Sequence, residues 1–425
     1  PDQWDLQSCI DYAKEQNITI RKNRITAVST QIDVKTAKAA MFPSLSFSTG
    51  QQVVNRPYQE TSSRVSGSEI ISSNSKTSYN GNYGLNASWT LYNGNKRLKT
   101  IQQEKLNNQM AELDVATSEN NIQESIAQVY IQILYAAESV KVNENTLQVS
   151  IAQRDRGQEL LNAGSIAKSD LAQLEAQVST DRYQLVTAQA TLEDYKLQLK
   201  QLLELDGENE MNIYLPTLSD ENVLAPLPTK RDVYISALSL RPEIEASKLN
   251  VEASELGINI AKSSYFPTIS LSAGIGTNHT SGSDFTFGEQ VKNGWNNSIG
   301  LSVSVPIFNN RQTKSAVQKA KLQYETSMLS LLDEQKALYK TIESLWLDAN
   351  SAQQRYAAAN EKLKSTKISY ELISEQFNLG MKNTVELLTE KNNLLQAQQE
   401  QLQAKYMAIL NTQLLKFYQG DQLAL

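Results

Sequence analysis

The chain has 425 residues, a formal net charge of −6 and a single cysteine, Cys9. So small a net charge leaves no basic footprint for nucleic acid, and one cysteine excludes an intrachain disulfide. No run of about 18 apolar residues is present, and a transmembrane helix needs such a run. Alternating strands of a membrane β-barrel escape this test, because only every second residue is apolar.

The first elements are predicted to be a helix, a strand and a loop. Residues 4–41 carry apolar side chains at loosely helical spacing. This helix is expected to end at Phe42-Pro43, because proline has no N–H and restricts the residue before it. Residues 44–56 alternate as a strand. Residues 57–80, rich in Ser, Asn and Thr, are predicted to form a long polar loop.

A second strand is predicted over 81–92, with small or polar residues on one of its two faces. The residues of its apolar face are Tyr83, Leu85, Ala87, Trp89 and Leu91. An apolar outer face with a small, polar inner face fits a strand between lipid and a wet lumen. A half-buried strand of a soluble sheet has the same pattern, so this strand alone leaves both interpretations open.

Two long helices follow. Residues 95–162 contain no proline and predict a helix of roughly 100 Å, which belongs to a coiled coil or a bundle. Gly164 is expected to end it by adopting positive φ. Ser169 and Asp170 begin the next helix, 169–205, which is an antiparallel neighbour because the turn is short. Its apolar residues follow a heptad pattern: Leu171, Leu174, Val178, Leu185, Leu192, Tyr195, Leu199 and Leu202.

The proline-containing segment 207–230 is predicted to be an extended linker between two structural repeats, 1–206 and 231–425. The predicted elements of the second repeat are a helix over 231–264, strands over 268–278 and 292–307, a polar loop over 279–291, and long helices over 311–378 and 384–419, separated by a turn at Gly380.

The duplication is visible in the sequence itself. AKAAMFPSLSFSTG (37–50) aligns without gaps with AKSSYFPTISLSAG (261–274), with about half the positions identical. The helix–strand junctions Pro43 and Pro267 are 224 residues apart. A repeat of this length is too long for a solenoid unit, so it indicates a duplicated half-molecule.

A single chain could not be complete in a membrane, because its two repeats supply only four strands. Four strands cannot close a barrel, and open sheet edges do not occur in lipid. Three chains would supply 12 strands, whereas two would supply eight, a barrel narrow enough to be filled by side chains. A conducting lumen therefore favours three chains. The Gln- and Asn-rich faces of the long helices fit either the wet wall of such a lumen or a solvated coiled-coil surface.

The opening WDLQSCIDYAKEQN, the paired strand starts FPSLSFSTG and FPTISLSAG, and the two glycine-centred turns resemble the outer membrane efflux protein (TolC) family. These are the outer membrane factors of tripartite efflux and type I secretion systems. The resemblance implies a mostly α fold with membrane β. The implied assembly is a homotrimeric 12-stranded β-barrel in the outer membrane, continued by a 12-helix periplasmic α-barrel.

The same resemblance implies a function and partners. The expected function is a passive channel that opens at its periplasmic helical tips, with no cofactor and no metal. The expected partners are two further copies of the chain, a periplasmic adaptor (membrane fusion) protein, an inner-membrane pump of the RND or ABC type, and outer membrane lipid. A signal peptide is expected to have been removed before residue 1.

By resemblance, the turns at Gly164 and Gly380 form the closed periplasmic mouth. The gate and constriction residues are then Ser169, Asp170, Phe377, Lys382, Glu386 and Thr389. Phe377 and Thr389 stand where the family's best-known member has a tyrosine and an aspartate, which implies a weaker or differently built lock. Asp170 and Glu386 also fit a plain capping role, because a carboxylate is favoured in the first turn of a helix.

The sequence also bears on two other classes of function. A structural or adhesive coiled-coil protein without a lumen would need neither four alternating strands nor proline-marked junctions. An enzyme is not expected, because the sequence has no nucleophile–base pair, no metal-ligand spacing and no phosphate loop.

Overall fold

A computed structural model gives the architecture for residues 3–58, 62–66, 69–73, 76–206, 211–216, 218–219 and 223–425. The chain divides into two compact units, and each unit takes segments from both halves of the sequence. The first unit comprises residues 1–26, 111–247 and 331–425, and the second comprises residues 27–110 and 248–330.

Helices dominate the structure. The helices are α1 (Leu6–Gln16), α2 (Ile18–Ala39), α3 (Lys96–Asn162), α4 (Lys168–Leu202), α5 (Lys230–Leu240), α6 (Pro242–Ser263), α7 (Phe287–Asn293), α8 (Gln312–Asn378) and α9 (Thr384–Gln419). The strands are β1 (Ser44–Asn55), β2 (Ser62–Ser66), β3 (Glu69–Ser73), β4 (Thr77–Asn93), β5 (Thr268–Thr280) and β6 (Asn296–Ser304). Within the described residues, no helix is both long and apolar enough to span a bilayer.

Two helices predicted to be continuous are broken. The predicted helix 4–41 breaks at Asn17, whose side-chain oxygen accepts hydrogen bonds from the backbone N–H groups of Thr19 and Ile20 in the first turn of α2. The Asn17 side-chain nitrogen donates to the carbonyl of Leu202 at 3.0 Å. The predicted helix 231–264 breaks at Arg241. The prediction missed both breaks because apolar residues continue across them.

Pro242 explains the second break, because the residue before a proline is disfavoured in a helix. Arg241 and Asn17 are both buried, at 6% and 4% exposure. They are 224 residues apart, as Pro43 and Pro267 are. The break is therefore at the same place in both halves of the sequence.

The predicted polar loops contain secondary structure, so that part of the prediction was wrong. β4 begins at Thr77 because its pairing with β1 continues from Ser44 to Asn55. The segment 57–80 also holds the β2–β3 hairpin, although residues 59–61, 67–68 and 74–75 lie outside the described residues. The segment 279–291 holds the end of β5 and most of α7, and β6 is shorter than the predicted 292–307. The Ser and Asn side chains suggested loops, although the backbone of these segments forms β-ladder hydrogen bonds.

The four-stranded sheet of the second unit has the order β1–β4–β5–β6 and is antiparallel throughout. Its register separates two kinds of side chain. One row across the sheet consists of Leu45, Ala87, Ala273 and Ile299, and the adjacent row on the other face consists of Ser44, Ser88, Ser272 and Gly300. The apolar face is open, since Leu45 is 69% and Ile299 79% exposed.

Four helices lie side by side in the same unit, in the order α2–α3–α6–α8. The hydrogen bonds between neighbours are Thr30–Asn108 at 3.1 Å, Gln103–Ala253 at 3.0 Å and Ser254–Ser327 at 2.7 Å. The helices at the two ends of this row carry exposed apolar stripes. These are Val28 and Ile32 on α2, and Leu322 and Leu329 on α8.

The core of the first unit incorporates part of the predicted linker. Met211, Leu218 and Val223 are buried there, and the backbone of Trp4 forms a parallel bridge with Ile213. Cys9 is fully buried in the same core. Burial raises the pKa of its thiol to about 12, so the thiol stays protonated.

Candidate functional site

The turn after α3 closes the end of that helix by backbone hydrogen bonds. The N–H of Gly164 donates to the carbonyl of Leu161 at 2.9 Å, and the N–H of Ser165 donates to that of Leu160 at 2.8 Å. This pair of bonds is the Schellman motif, which requires positive φ at its glycine. The φ of Gly164 is +74°.

The turn after α8 has the same geometry. The N–H of Gly380 donates to Phe377 at 2.9 Å, and that of Met381 donates to Gln376 at 2.8 Å. No atom lies within 4 Å of the position a Cβ would take on Gly164 or Gly380, so the need for glycine comes from the backbone conformation and not from crowding.

The N-terminus of α4 brings Asp170 to the first turn. Its Oδ2 accepts a hydrogen bond from the backbone N–H of Ala167 at 3.0 Å. Ala167 has no side-chain acceptor for the N–H of Asp170, so only one of the two hydrogen bonds of a capping box is present. The helix begins at Lys168, one residue earlier than predicted, which makes Ser169 its exposed second residue.

The N-terminus of α9 has a complete capping box. Asn383 Oδ1 accepts from the N–H of Glu386 at 2.9 Å, and Glu386 Oε2 accepts from the N–H of Asn383 at 3.3 Å. Lys382 Nζ donates to Glu386 Oε1 at 2.6 Å. The Lys382 ammonium, followed by the Asn383 amide, holds the pKa of Glu386 below its ordinary value, because both stabilise the carboxylate.

The remaining two predicted site residues differ in exposure. The Phe377 ring is buried at 3% exposure, in the last turn of α8. Thr389 is exposed and lies three residues after Glu386, on the same side of α9. Phe377 thus lacks a hydroxyl with which to bond a neighbouring helix, and Thr389 contributes no carboxylate at its position.

A tyrosine that the sequence analysis overlooked makes an interhelix bond near the turn. Tyr370 on α8 accepts a hydrogen bond from Gln153 Nε2 on α3 at 2.8 Å. Burial raises the pKa of Tyr370, so its hydroxyl stays neutral. Tyr370 lies seven residues before Phe377, two helical turns away on the same face. That spacing was the only signal in the sequence.

The two turns present different surfaces. Leu379, Met381 and Val385 are exposed apolar side chains at the second turn. The first turn carries the small residues Ala163 and Ser165 at the equivalent places. The second turn is therefore the apolar one of the pair.

Among the described residues, no group of three or more His, Cys, Asp and Glu side chains could hold a metal ion. The lone histidine, His279, falls at the start of the predicted polar loop 279–291, but it lies on β5 among aromatic rings. Its ring centroid is 5.8 Å from that of Tyr83 and 5.0 Å from that of Phe287.

Comparison with known proteins agrees with this fold. The model of the outer membrane efflux protein family matches residues 9–204 and 233–420. A crystal structure of CusC superposes with a TM-score of 0.83 at 18% identity, covering 98% of this chain and 92% of CusC. The fold is therefore that of the outer membrane channel proteins.

Two curated relatives are similar over most of the chain. The outer membrane efflux protein BepC of Brucella suis is 24% identical over 294 residues, and the outer membrane protein TolC of Escherichia coli is 23% identical over 296 residues. These matches cover 69% and 67% of this chain, but 61% and 58% of the relatives, which is less than two thirds of their length.

The chain belongs to the outer membrane efflux protein family, since the family model matches most of its length. The resemblance drawn from the paired strand starts and the glycine turns is thereby confirmed. The predicted outer membrane localisation is confirmed with it.

Proposed function

We propose that this chain is one of three subunits of a channel that crosses the outer membrane and continues through the periplasm as a helical tunnel. It passively conducts substrates to the cell exterior from an inner-membrane pump of the RND or ABC type and a periplasmic adaptor. The members of its family are channels, and this chain is proposed to catalyse no reaction.

The two-faced sheet is the observation that carries this proposal. The ranges of β1, β4, β5 and β6 contain no Asp, Glu, Lys or Arg. One face is apolar and open, and the other is built from Ser, Asn and Gly. A strand with lipid on one side and water on the other needs this separation.

The free ends of the sheet and of the helix row support assembly from three copies. β1 and β6 are the edge strands, and α2 and α8, which adjoin them in sequence, end the helix row with exposed apolar stripes. Joining the β1–α2 side of one chain to the β6–α8 side of the next is a head-to-tail contact, and such contacts form a ring when the rotation between neighbours closes. Three copies give a barrel of 12 strands and a tunnel wall of 12 helices.

Matching geometry in the two halves supports the proposed internal duplication. The N–H of Phe42 bonds the carbonyl of Ala39 at 3.0 Å, and the N–H of Phe266 bonds that of Ser263 at 3.1 Å. Both members of the second pair are 224 residues after those of the first. We propose that 1–206 and 231–425 are the two repeats, and that Pro43 and Pro267 mark equivalent helix–strand junctions.

The two Schellman turns are proposed to form the periplasmic mouth. Asp170 and Glu386, each in the first turn of a helix, bring carboxylates close to it, and Lys382 supplies the counter-charge that three neighbouring Glu386 side chains need in order to approach one another. The exposed apolar residues Leu379, Met381 and Val385 are proposed to receive the adaptor.

The remaining site residues complete this proposal. Ser169 and Thr389 are exposed next to the two carboxylates, and Phe377 packs at the base of the second turn. Because Phe377 has no hydroxyl, the bond between Gln153 and Tyr370 is proposed to take over the locking role, two helical turns away from Phe377.

Reconstitution into planar bilayers tests the function. The wild-type protein should insert and give small, rare currents, and a variant with a loosened mouth should give large, steady ones. Silence of both the wild type and the loosened variants would favour the alternative, a structural or adhesive coiled-coil protein without a lumen.

A further inference from the structure

Three polar side chains from different helices meet in the interior of the first unit. Ser150 on α3, Asp181 on α4 and Lys391 on α9 are 2%, 3% and 3% exposed, respectively. The Lys391 ammonium donates to Ser150 Oγ and to Asp181 Oδ2, and Ser150 donates its hydroxyl hydrogen to the same carboxylate oxygen. These three residues are called the Lys391 node below.

A fourth side chain completes the bonding of the carboxylate. Gln177 Nε2 donates to Asp181 Oδ1 at 2.9 Å, so both oxygens of the carboxylate are satisfied. The same Gln177 nitrogen lies 3.4 Å from Asn392 Oδ1, which adds a second polar link from α4 to α9. A buried carboxylate is tolerated when it is paired with a cation and hydrogen-bonded at both oxygens, as Asp181 is here.

The node takes the place of apolar residues in the helix cores. Asp181 lies three residues after Val178 and four before Leu185, which makes it a core position of the α4 heptad. Lys391 likewise lies three residues after Leu388 and four before Leu395. A polar residue at a core position fixes the register between helices at a cost in stability, whereas apolar residues there tolerate other registers.

The node lies inward of the two turns. Asp181 is 11 residues beyond Asp170 and Lys391 is five beyond Glu386, which places it about 16 Å and about 8 Å along the respective helices. A shift of α9 against α4 would move Glu386 and Lys382 relative to Asp170 by the same amount, because helices transmit an axial displacement rigidly.

We propose that Asp181 and Lys391 are positioning residues for the mouth, an inference that rests on the proposed channel function. Together with Ser150, they hold α9 in one axial register against α3 and α4. The axial positions of Lys382 and Glu386 relative to Asp170 are then fixed in the closed channel. The node itself need not touch the substrate or the moving turns.

The Lys391 node could fix the helix register or could merely stabilise the fold, and a double substitution distinguishes these two roles. Replacing a buried ion pair by apolar residues of similar volume is commonly neutral or stabilising. In Asp181→Leu/Lys391→Met, the thermal midpoint of the trimer should therefore be kept or raised. The register is no longer fixed, so the open probability of the unliganded channel in planar bilayers should rise about tenfold (~1.4 kcal/mol).

An exposed ion pair provides the matched control. Lys362 and Glu400 join α8 to α9 at 2.7 Å, with side chains 46% and 42% exposed. The double variant Lys362→Met/Glu400→Leu removes the same charges and should leave the open probability unchanged. A comparable rise in this control would overturn the proposal, because any loss of a charged helix link would then suffice.

Ser150→Ala keeps the ion pair and tests the proposal independently should the double variant fail to fold. It should raise the open probability in the same direction by a smaller factor. Wild-type open probability in a folded double variant, or in Ser150→Ala where the double variant does not fold, would overturn the inference while leaving the channel function intact. Silence of every variant and of the wild type would overturn the proposed function and this inference with it.

Discussion

Gly164 and Gly380 hold the same left-handed backbone conformation, with φ of +74° and +75°, at the ends of two helices of equal length. Each donates its N–H to the residue three before it and begins a turn that leads into a capped helix. The two turns therefore repeat one backbone geometry on different side chains, and this geometry is open to direct test.

Gly164→Val and Gly380→Val should each distort a turn. A β-branched residue at φ near +75° is strained by roughly 1–2 kcal/mol. This strain comes from the backbone conformation alone, because no other atom lies within 4 Å of the added Cβ. The trimer should unfold at a lower temperature, and efflux measured in cells should fall. The matched variants Gly164→Asn and Gly380→Asn should lose less, since asparagine tolerates this conformation. Equal loss in the Asn and Val variants would contradict the backbone argument.

Asp170→Ala with Lys382→Ala should raise the current of the reconstituted channel. The first change removes the carboxylate that caps α4, and the second removes the counter-charge of Glu386. Three Glu386 side chains then repel one another in the ring. Lys364→Ala, at an exposed lysine of α8, is the control. Unchanged current in an otherwise conducting channel would remove the gate assignment.

Tyr370→Phe should loosen the packing of α8 against α3. It removes the hydroxyl that accepts from Gln153 and leaves a half-buried amide without that partner, at a cost of about 0.5–1.5 kcal/mol. The basal current should rise and the thermal midpoint should fall slightly. Tyr183→Phe, at an exposed tyrosine of α4, should change neither. If both variants behaved alike, the lock would not lie at Tyr370.

The capping contact at α9 predicts a pH dependence. Lys382 and the Asn383 amide lower the pKa of Glu386 in the folded state. The stabilisation that the ionised Glu386 provides is therefore fully present above the ordinary glutamate pKa of about 4.3. It is lost as the pH falls through the lower pKa that Glu386 has in the folded state. Basal current should not change through titration of this group at neutral pH. It should rise only below about pH 4.

Glu386→Gln provides the control for this pH dependence, because its side chain does not titrate. The acid-induced rise in current should be reduced in this variant. If the variant kept the full acid response, the response would come from other groups.

Ile32→Glu and Leu329→Glu should impair assembly. Both residues belong to the exposed apolar stripes that the proposed ring buries between neighbouring chains. A buried, unpaired carboxylate at that contact is costly, so detergent-solubilised protein should shift from trimer to monomer on size-exclusion chromatography. Gln323→Glu, at an exposed polar position of α8, should remain trimeric. If both variants formed normal trimers, the contact between neighbouring chains would not involve these apolar stripes.

The regular parts of the fold were accessible from the sequence. Hydrophobic periodicity and the lack of proline located the two longest helices, predicted over 95–162 and 311–378 and present at Lys96–Asn162 and Gln312–Asn378. Phe-Pro steps located the helix–strand junctions, because proline acts through its own backbone geometry. Such local signals need no knowledge of tertiary contacts.

The irregular parts depended on contacts that a sequence does not display. Ser and Asn in 57–80 suggested a loop, yet the pairing of β4 with β1 extends through Thr77. The break at Asn17 is fixed by its bond to Leu202, which is remote in sequence. The one polar gap in the α4 heptad, Asp181, could have been noticed, but its partner Lys391 is 210 residues away.

The mass of the purified protein in mild detergent tests the central claim most directly, because the proposed channel depends on a sheet and a helix row that one chain leaves open. Native mass spectrometry should give three times the 47.4 kDa of a single chain, with monomer absent under conditions that preserve the fold. A folded monomer that stays soluble in dilute buffer without detergent would contradict the account.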